Sequence, residues 1–447
     1  MKLELRIRNY ELRLNVIGNL SLVTCILLVA FCSTLFAQKK ESYVVLHHAD
    51  SLVGSVLNGE NIRELIGNVR LSKENTVITC DRATEYYSRK YFVLEGNVRI
   101  KEDSLLFEGR RGSYWSDSKI MEGMDGVRLQ EGKKNLTAEY GKYFAEERRA
   151  TFQKNVVAID SDATLKANAL TYFRADKHLL ATGNVSLTSA HENLKTFGEN
   201  FENIPARNYS SMSGNPKIVQ IDTFENGERD TLIITAKLLE VFRDSGEIFI
   251  ARDSVVLMRD YLSATANALE YLRSLDSVIL RGKPVVWYDV HQISGDSIFL
   301  KLANKQLHNA YIEGSAFALS LADSFFQQRY NQLSGERMQL TLRQKKIQHI
   351  IVEQHATSLY FLFDEDSSSL RKKPNGVNKA SGDAVHISFG QKNIERIVVQ
   401  GGVEGQYFPE NLVERNEEDF RLDGFIQKES PIMQNKNNQS GRKKKEL

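Results

Sequence analysis

The sequence predicts an all-β array of stacked units, and three observations carry that prediction. A short apolar motif recurs at a constant step, apolar residues around it alternate with period two, and turn-forming residues fall at matching places. The chain has 447 residues with 59 basic against 57 acidic side chains, a formal charge of +2. That balance gives no general electrostatic case for nucleic acid as a partner. With 41% hydrophobic and 26% charged residues, and only six prolines, wholesale disorder and a Pro-rich linker are excluded.

The motif reads LIGNVRL at 65–71, LEGNVRI at 94–100, MDGVRL at 124–129, KNVVAI at 154–159 and ATGNVSL at 181–187. Its anchors are Val69, Val98, Val127, Val156 and Val185, each 29 residues after the last. Nine residues beyond each anchor stand Ile78, Phe107, Leu136, Leu165 and Leu194, all large and apolar. Eleven beyond it stand the small Cys80, Gly109, Ala138, Ala167 and Thr196, and seventeen beyond the first four stand Tyr86, Trp115, Phe144 and Phe173. Looser copies of the slot follow at Gly214-Asn215, Asp253-Ser254, Gly282-Lys283, Gly314-Ser315, Gln354-His355 and Gly401-Gly402. The reading is about eleven units of roughly 29 residues, because a stacked array grows without splitting into separate cores.

The elements follow in order. Lys2, Arg6, Arg8 and Arg13 precede an apolar run, Leu20 to Ala37, so residues 1–37 read as a signal peptide or an N-terminal anchor. Residues 38–200 form a first repeat block. Residues 201–230, with Pro205, Pro216 and Asn226-Gly227, read as an irregular junction. Residues 231–408 form a second block, interrupted by a polar loop from Asp364 to Lys379, and residues 409–447 read as a polar, disordered tail. Within a unit, Val98 and Ile100 face one way while Arg99 and Lys101 face the other, which is a strand with one dry and one wet face. Gly-Asn before the anchor provides a bend, since both residues tolerate positive φ. The inward row is therefore expected to be Val98, Ile100, Phe107, Val127, Leu129, Leu136, Phe144, Val156, Leu165, Phe173, Val185 and Leu187. Stacking the units makes an elongated, folded-over sheet.

Motifs for chemistry are missing. No phosphate-cradling loop, dinucleotide fingerprint or His-Glu-x-x-His occurs, so no enzyme, cofactor or metal is expected. Cys80 is the one cysteine outside the apolar run, which excludes an intramolecular disulfide in the mature chain. His47-His48 would need a third ligand. Asp160, Asp162, Asp253 and Asp260 lie at predicted turns, where carboxylates act as turn formers. The competing reading is a surface β-solenoid that binds or cleaves polysaccharide, with those carboxylates and the aromatic column as its tools.

The repeated x-G-N-V-x-L strands, each followed by a segment such as Ala167-Asn168-Ala169-Leu170-Thr171-Tyr172, resemble the OstA-like, LptA-type proteins of lipopolysaccharide transport. The resemblance is best over 60–200 and fair over 231–408. It implies a V-shaped β-jellyroll whose interior shields lipid acyl chains, in the periplasm and in association with the inner or outer membrane. It also implies partners: lipopolysaccharide or a related lipid, and other transport proteins or a second copy of the chain, joined by edge-strand pairing. On that reading the inward row is the lipid-binding surface. The partner edge is Ile397, Val398 and Val399 of the β-prone segment IERIVVQ. The chain is much longer than a minimal member, and its later units are degenerate.

Overall fold

A computed structural model describes residues 43–223, 227–244, 246–304, 306–364, 372–390 and 394–433. The signal or anchor expected at 1–37 and the end of the tail lie outside these residues. From Leu46 onward the chain folds as one unit. Among the described residues twenty-nine strands join in a single sheet. The long early strands pair antiparallel in sequence order, Glu60–Lys73 with Thr76–Tyr86, that strand with Tyr91–Glu102, and that in turn with Leu105–Trp115. The chain zigzags, and the register shifts near the middle of each early strand, between Ile66 and Val69 and between Glu95 and Val98.

These shifts form creases. Among the described residues, eleven pairs of consecutive residues with positive φ lie at the slots named above, from Gly67-Asn68 (77° and 47°) to Gly401-Gly402 (71° and 58°). The second pair, Gly96-Asn97, shows why the residue types are needed. A Cβ on Gly96 would lie 2.2 Å from Asp81 Oδ2, so the position needs glycine for space as well as for φ. Asn97 tolerates the left-handed conformation and donates from Nδ2 to Asp81 Oδ2 at 3.0 Å. Asn155 does the same towards Glu139 at 2.6 Å.

The creases divide the long strands between two arms, and shorter strands such as Lys134–Ala138 and Tyr140–Phe144 each lie in one arm. Arm A holds halves such as Val98–Glu102 and their partners from Leu105 to Gly109. Arm B holds halves such as Tyr91–Glu95 and their partners from Arg111 to Trp115. The inner faces meet: a Cβ on Gly123 of arm B would lie 2.4 Å from Val127 Cγ1 at the crease and 3.0 Å from the Phe107 ring of arm A. Leu71, Ile78, Leu94, Ile100 and Phe107 are all at most 1% exposed. Burying such a side chain contributes about 1.5–3 kcal/mol each, so this face holds the fold together.

Three sequence expectations are corrected. Of the stretch 201–230, the described residues 201–223 form no irregular junction: Leu194–Ile204 pairs with both Tyr209–Ser213 and Lys217–Thr223, and Pro205 opens a short 3-10 turn like that at Tyr87–Arg89. Pro216 sits in the break between two strands, where its missing N–H disturbs no ladder. Of the loop expected from Asp364 to Lys379, residues 373–379 begin the strand Lys373–Phe389, paired to Lys346–Asp364. The described part of the tail is ordered. It crosses the outer face of arm A, where Val413 and Leu422 pack with Phe317, Leu319, Leu359, Phe361 and Val377. Arg329, 3% exposed, holds Glu410 at 2.8 Å and Glu417 at 3.0 Å. Gln332 and Gln292 bond to the tail's backbone at Phe420, Leu422, Ile426 and Lys428.

Candidate functional site: the interior and its mouth

The interior is where the sequence places the site. Val98, Ile100, Phe107, Val127, Leu129, Leu136, Val156, Leu165 and Val185 are buried on the inner face. Leu187 shares that face at half-burial, paired with Leu165. Phe144 and Phe173 do not belong to this row. They are half-buried, and the alternation in Tyr140–Phe144 and Ala163–Phe173 turns Tyr143 and Tyr172 inward instead. The aromatic column that includes Tyr86 and Trp115 lies on the outer face under cations: Arg89 is 4.6 Å from the Tyr86 ring, Lys142 5.2 Å from Trp115 and Arg149 4.1 Å from Phe144.

The inward aromatic column is Tyr114, Tyr143 and Tyr172, and sequence reasoning missed it although it keeps the same 29-residue step. These tyrosines reach from arm B to the hairpin tips of arm A. Burial raises the phenol pKa of each, and nearby carboxylates add to it: Glu102 and Glu74 at Tyr114, Glu102 at Tyr143 and Glu131 at Tyr172.

Beyond the tyrosines the mouth is latched from arm to arm. Lys73 of arm A, 8% exposed, donates to the Ser116 carbonyl of arm B at 2.6 Å. Lys119 of arm B meets Glu74 of arm A at 2.6 Å. Arg174 of arm B, 7% exposed, meets Glu131 at 2.8 Å and donates to the Tyr143 hydroxyl at 3.0 Å. Arg273 reaches Glu192 at 2.7 Å, and Lys345 lies 3.9 Å from Glu228 and 5.0 Å from the Tyr261 ring.

The interior loosens toward the C-terminus. A cavity of about 60 Å³ is lined by Ala318, Leu333, Ile350, Ile387, Phe389 and Ile397, with the polar His291, Asn331, Ser358 and Tyr360. A smaller one of about 10 Å³ adjoins it through Ile293, Leu340 and Ile347 and is also lined by Tyr288.

The sheet ends in two edges. At one, Ser51–Leu57 pairs with Glu60–Lys73, and Leu52 and Val56 stand 53% and 67% exposed. At the other, Ile394–Gln400 and Glu404–Phe408 both pair with Lys373–Phe389. Ile397 is exposed there, and Val398 and Val399 are half-buried.

The carboxylates weighed for catalysis are turn formers. Asp160 accepts the N–H groups of Asp162 and Ala163 at 2.9 Å each, and Asp253 has the positive φ of a crease. His47 bonds to Ser72 and His48 to the Asn68 carbonyl. Among the described residues no cluster of His, Cys, Asp or Glu has metal-site geometry, and no helix is long and apolar enough to cross a membrane.

Residues 41–196 match the family described as OstA-like protein. This segment is an OstA-like domain. It contains the five strict creases and most of the latched mouth, and the loosened interior lies beyond it. Among solved structures the chain is similar to LptH, described as the LptA homologous periplasmic component of the conserved lipopolysaccharide transport device from Pseudomonas aeruginosa. That likeness is 13% identical, covers 24% of this chain and 82% of that one, and has a TM-score of 0.23. No curated protein matches the chain.

Proposed function

We propose that the chain is a non-catalytic lipid-binding protein of lipopolysaccharide transport and outer-membrane assembly, working in the periplasm. In this reading the two arms shield acyl chains while sugars and phosphates stay outside. The observation that carries it is an apolar interior running between two arms, in a chain whose residues 41–196 match the OstA-like family. Transfer of hydrocarbon into such an interior is favourable by about 25 cal/mol per Å² and needs no catalytic group. The two strand edges fit the same role. Unpaired edges invite aggregation unless a partner's strand adds to them, so a transport protein or a second copy would dock there.

The test is mass spectrometry of lipid retained by the full chain after gentle purification, followed by reloading of stripped protein with lipopolysaccharide. Retained and reloadable lipid supports the reading. Stripped protein that fails to bind lipopolysaccharide refutes it. The outward aromatic column favours the polysaccharide-binding alternative, and Trp115→Ala separates the two. That change leaves lipid loading intact in the transport reading and weakens binding to isolated polysaccharide in the other.

A further inference from the structure

We infer that the acyl chain of the ligand is held in the C-terminal third of the folded sheet, between residues 288 and 397, and not along the regular N-terminal units. The inference rests on the lipid-binding reading and locates its site outside the OstA-like domain.

The N-terminal interior is already full. Gly141 has no room even for a methyl group, since a Cβ would lie 2.8 Å from the Phe152 ring and 2.9 Å from Val127 Cγ2. An acyl chain there would have to displace packed side chains and also break the latches at Lys73, Lys119 and Arg174. Arg174 and Lys73 are buried cations, and parting them from their acceptors leaves charge in a site poor in water.

The C-terminal third differs in three ways. Its strands are longer: Gln306–Leu321 has 16 residues, Lys346–Asp364 has 19 and Lys373–Phe389 has 17, against 11 or 12 in Thr76–Tyr86 and Tyr91–Glu102. At about 3.3 Å per residue the arms are deeper there. One long, exposed pair, Lys345 to Glu228 at 3.9 Å, joins the arms at the start of Lys346–Asp364, and beyond it no ion pair joins them among the described residues, so the mouth can part without breaking a buried one. The cavity walls are also unequal. Arm B contributes Ile350, Ile387, Phe389 and Ile397, while arm A adds His291, Asn331, Ser358 and Tyr360. Such a wall suits a hydrocarbon chain that carries an ester, amide or hydroxyl near one end. The Tyr288 hydroxyl, like that of Tyr114 in the N-terminal units, is buried with no hydrogen-bond partner, but it lies on the wall of the adjoining cavity. An oxygen of the ligand would give that donor an acceptor.

A cavity of about 60 Å³ takes only a short piece of chain, since a water alone needs about 10–15 Å³. The arms must therefore part to admit the remainder. The tail strap makes that motion local. It braces the outer face of arm A through Trp287, Phe317 and Phe361, so arm A keeps its shape while arm B swings.

The experiment places a photocrosslinking side chain at Leu333 or Ile387, at Phe107 or Leu136, and at the outward Lys101, in the full chain incubated with lipopolysaccharide. The expected result is adduct at 333 and 387 at least tenfold above that at 107 and 136, with none at 101. Equal or stronger adduct at 107 and 136 overturns this inference and leaves the lipid-binding reading standing. No adduct at any position overturns both. Ala318→Phe guards against misfolded crosslinker variants. It fills the cavity, so retained lipopolysaccharide should fall several-fold while circular dichroism and thermal midpoint hold. Undiminished retention in that folded variant counts against the site.

Discussion

Gly123→Ala adds one methyl group where the arms meet, and the structure fixes the sign of its effect. The new carbon would lie 2.4 Å from Val127 Cγ1 and 3.0–3.1 Å from two atoms of the Phe107 ring. Ordinary contact between carbons is about 3.5–4.0 Å, so side chains or arms must shift. Overpacking of this kind costs about 1–3 kcal/mol. Against it stands the loss of glycine freedom in the unfolded chain, which favours alanine by about 0.4–1 kcal/mol. The clash wins, and the net destabilisation is about 1–2 kcal/mol. Gly54→Ala is the control. Nothing lies within 4 Å of its new Cβ and its φ is not positive, so only the favourable part remains. An array unfolds in pieces, so amide hydrogen exchange in the strands Ile120–Glu131 and Tyr140–Phe144 is the assay. Exchange there should quicken about 5- to 30-fold in Gly123→Ala. In Gly54→Ala, exchange in Ser51–Leu57 and its partner should be unchanged or slower. Slower exchange in Gly123→Ala would mean that the arms stand apart in solution, and the case for a closed N-terminal interior would fall with it.

Three further outcomes are expected. Arg329→Met removes a buried cation from Glu410 and Glu417, which are themselves 26% and 18% exposed, so the loss should be about 1–3 kcal/mol; chymotrypsin should then cut within 409–433 many times faster while the sheet stays resistant. Burial, reinforced by the Asp81 charge, pushes the Cys80 thiol up to about 12 from 9.0. Iodoacetamide at pH 8 should therefore leave it unmodified until denaturant is added, and the protection it contributes to stability should decline as pH rises through 9 toward 12. Burial lowers the His291 pKa below 6.5 against the opposing Asp289 charge. The unfolded chain then binds the proton more readily, so the C-terminal third should lose stability as pH falls below about 6.5, and His291→Gln should flatten that dependence in a fluorescence melt.

The creases were legible in the sequence because few residues tolerate the left-handed region, and Gly-Asn at a fixed step leaves little else to read. The inward row was legible up to each crease and misread beyond it. In Leu105–Trp115, Leu105 and Phe107 face inward, and counting by twos would carry Trp115 inward as well. The register shift between Gly109 and Arg111 reverses the parity, so Tyr114 takes the inner place and Trp115 the outer. The same reversal between Lys166 and Ala169 puts Tyr172 inside and Phe173 outside. The strap was hidden for another reason. Residues 409–433 carry scattered apolar side chains without period, and their signal lies in the strands beneath. Val285–Tyr288 is buried at all four positions and Ala316–Leu319 likewise, which a strand wet on one face would not be.

The contrast between strict and degenerate units follows from one geometric requirement. Two arms close tip to tip only when successive strands have equal length on both sides of the crease. A constant step enforces that equality, so the units that keep it bring Lys73 to Ser116 and Arg174 to Glu131, and they fill the interior with their own side chains. Once residues are added, as in Lys373–Phe389, no ion pair joins the tips among the described residues and the wall outgrows the side chains available to fill it. A region that departs from the repeat therefore gains space at the expense of self-packing. Local departures from a fold's own rules tend to mark the places where function is lodged. In this chain the strictest columns describe the scaffold, and the part most divergent from them holds the cavity and the stretch of mouth beyond Lys345.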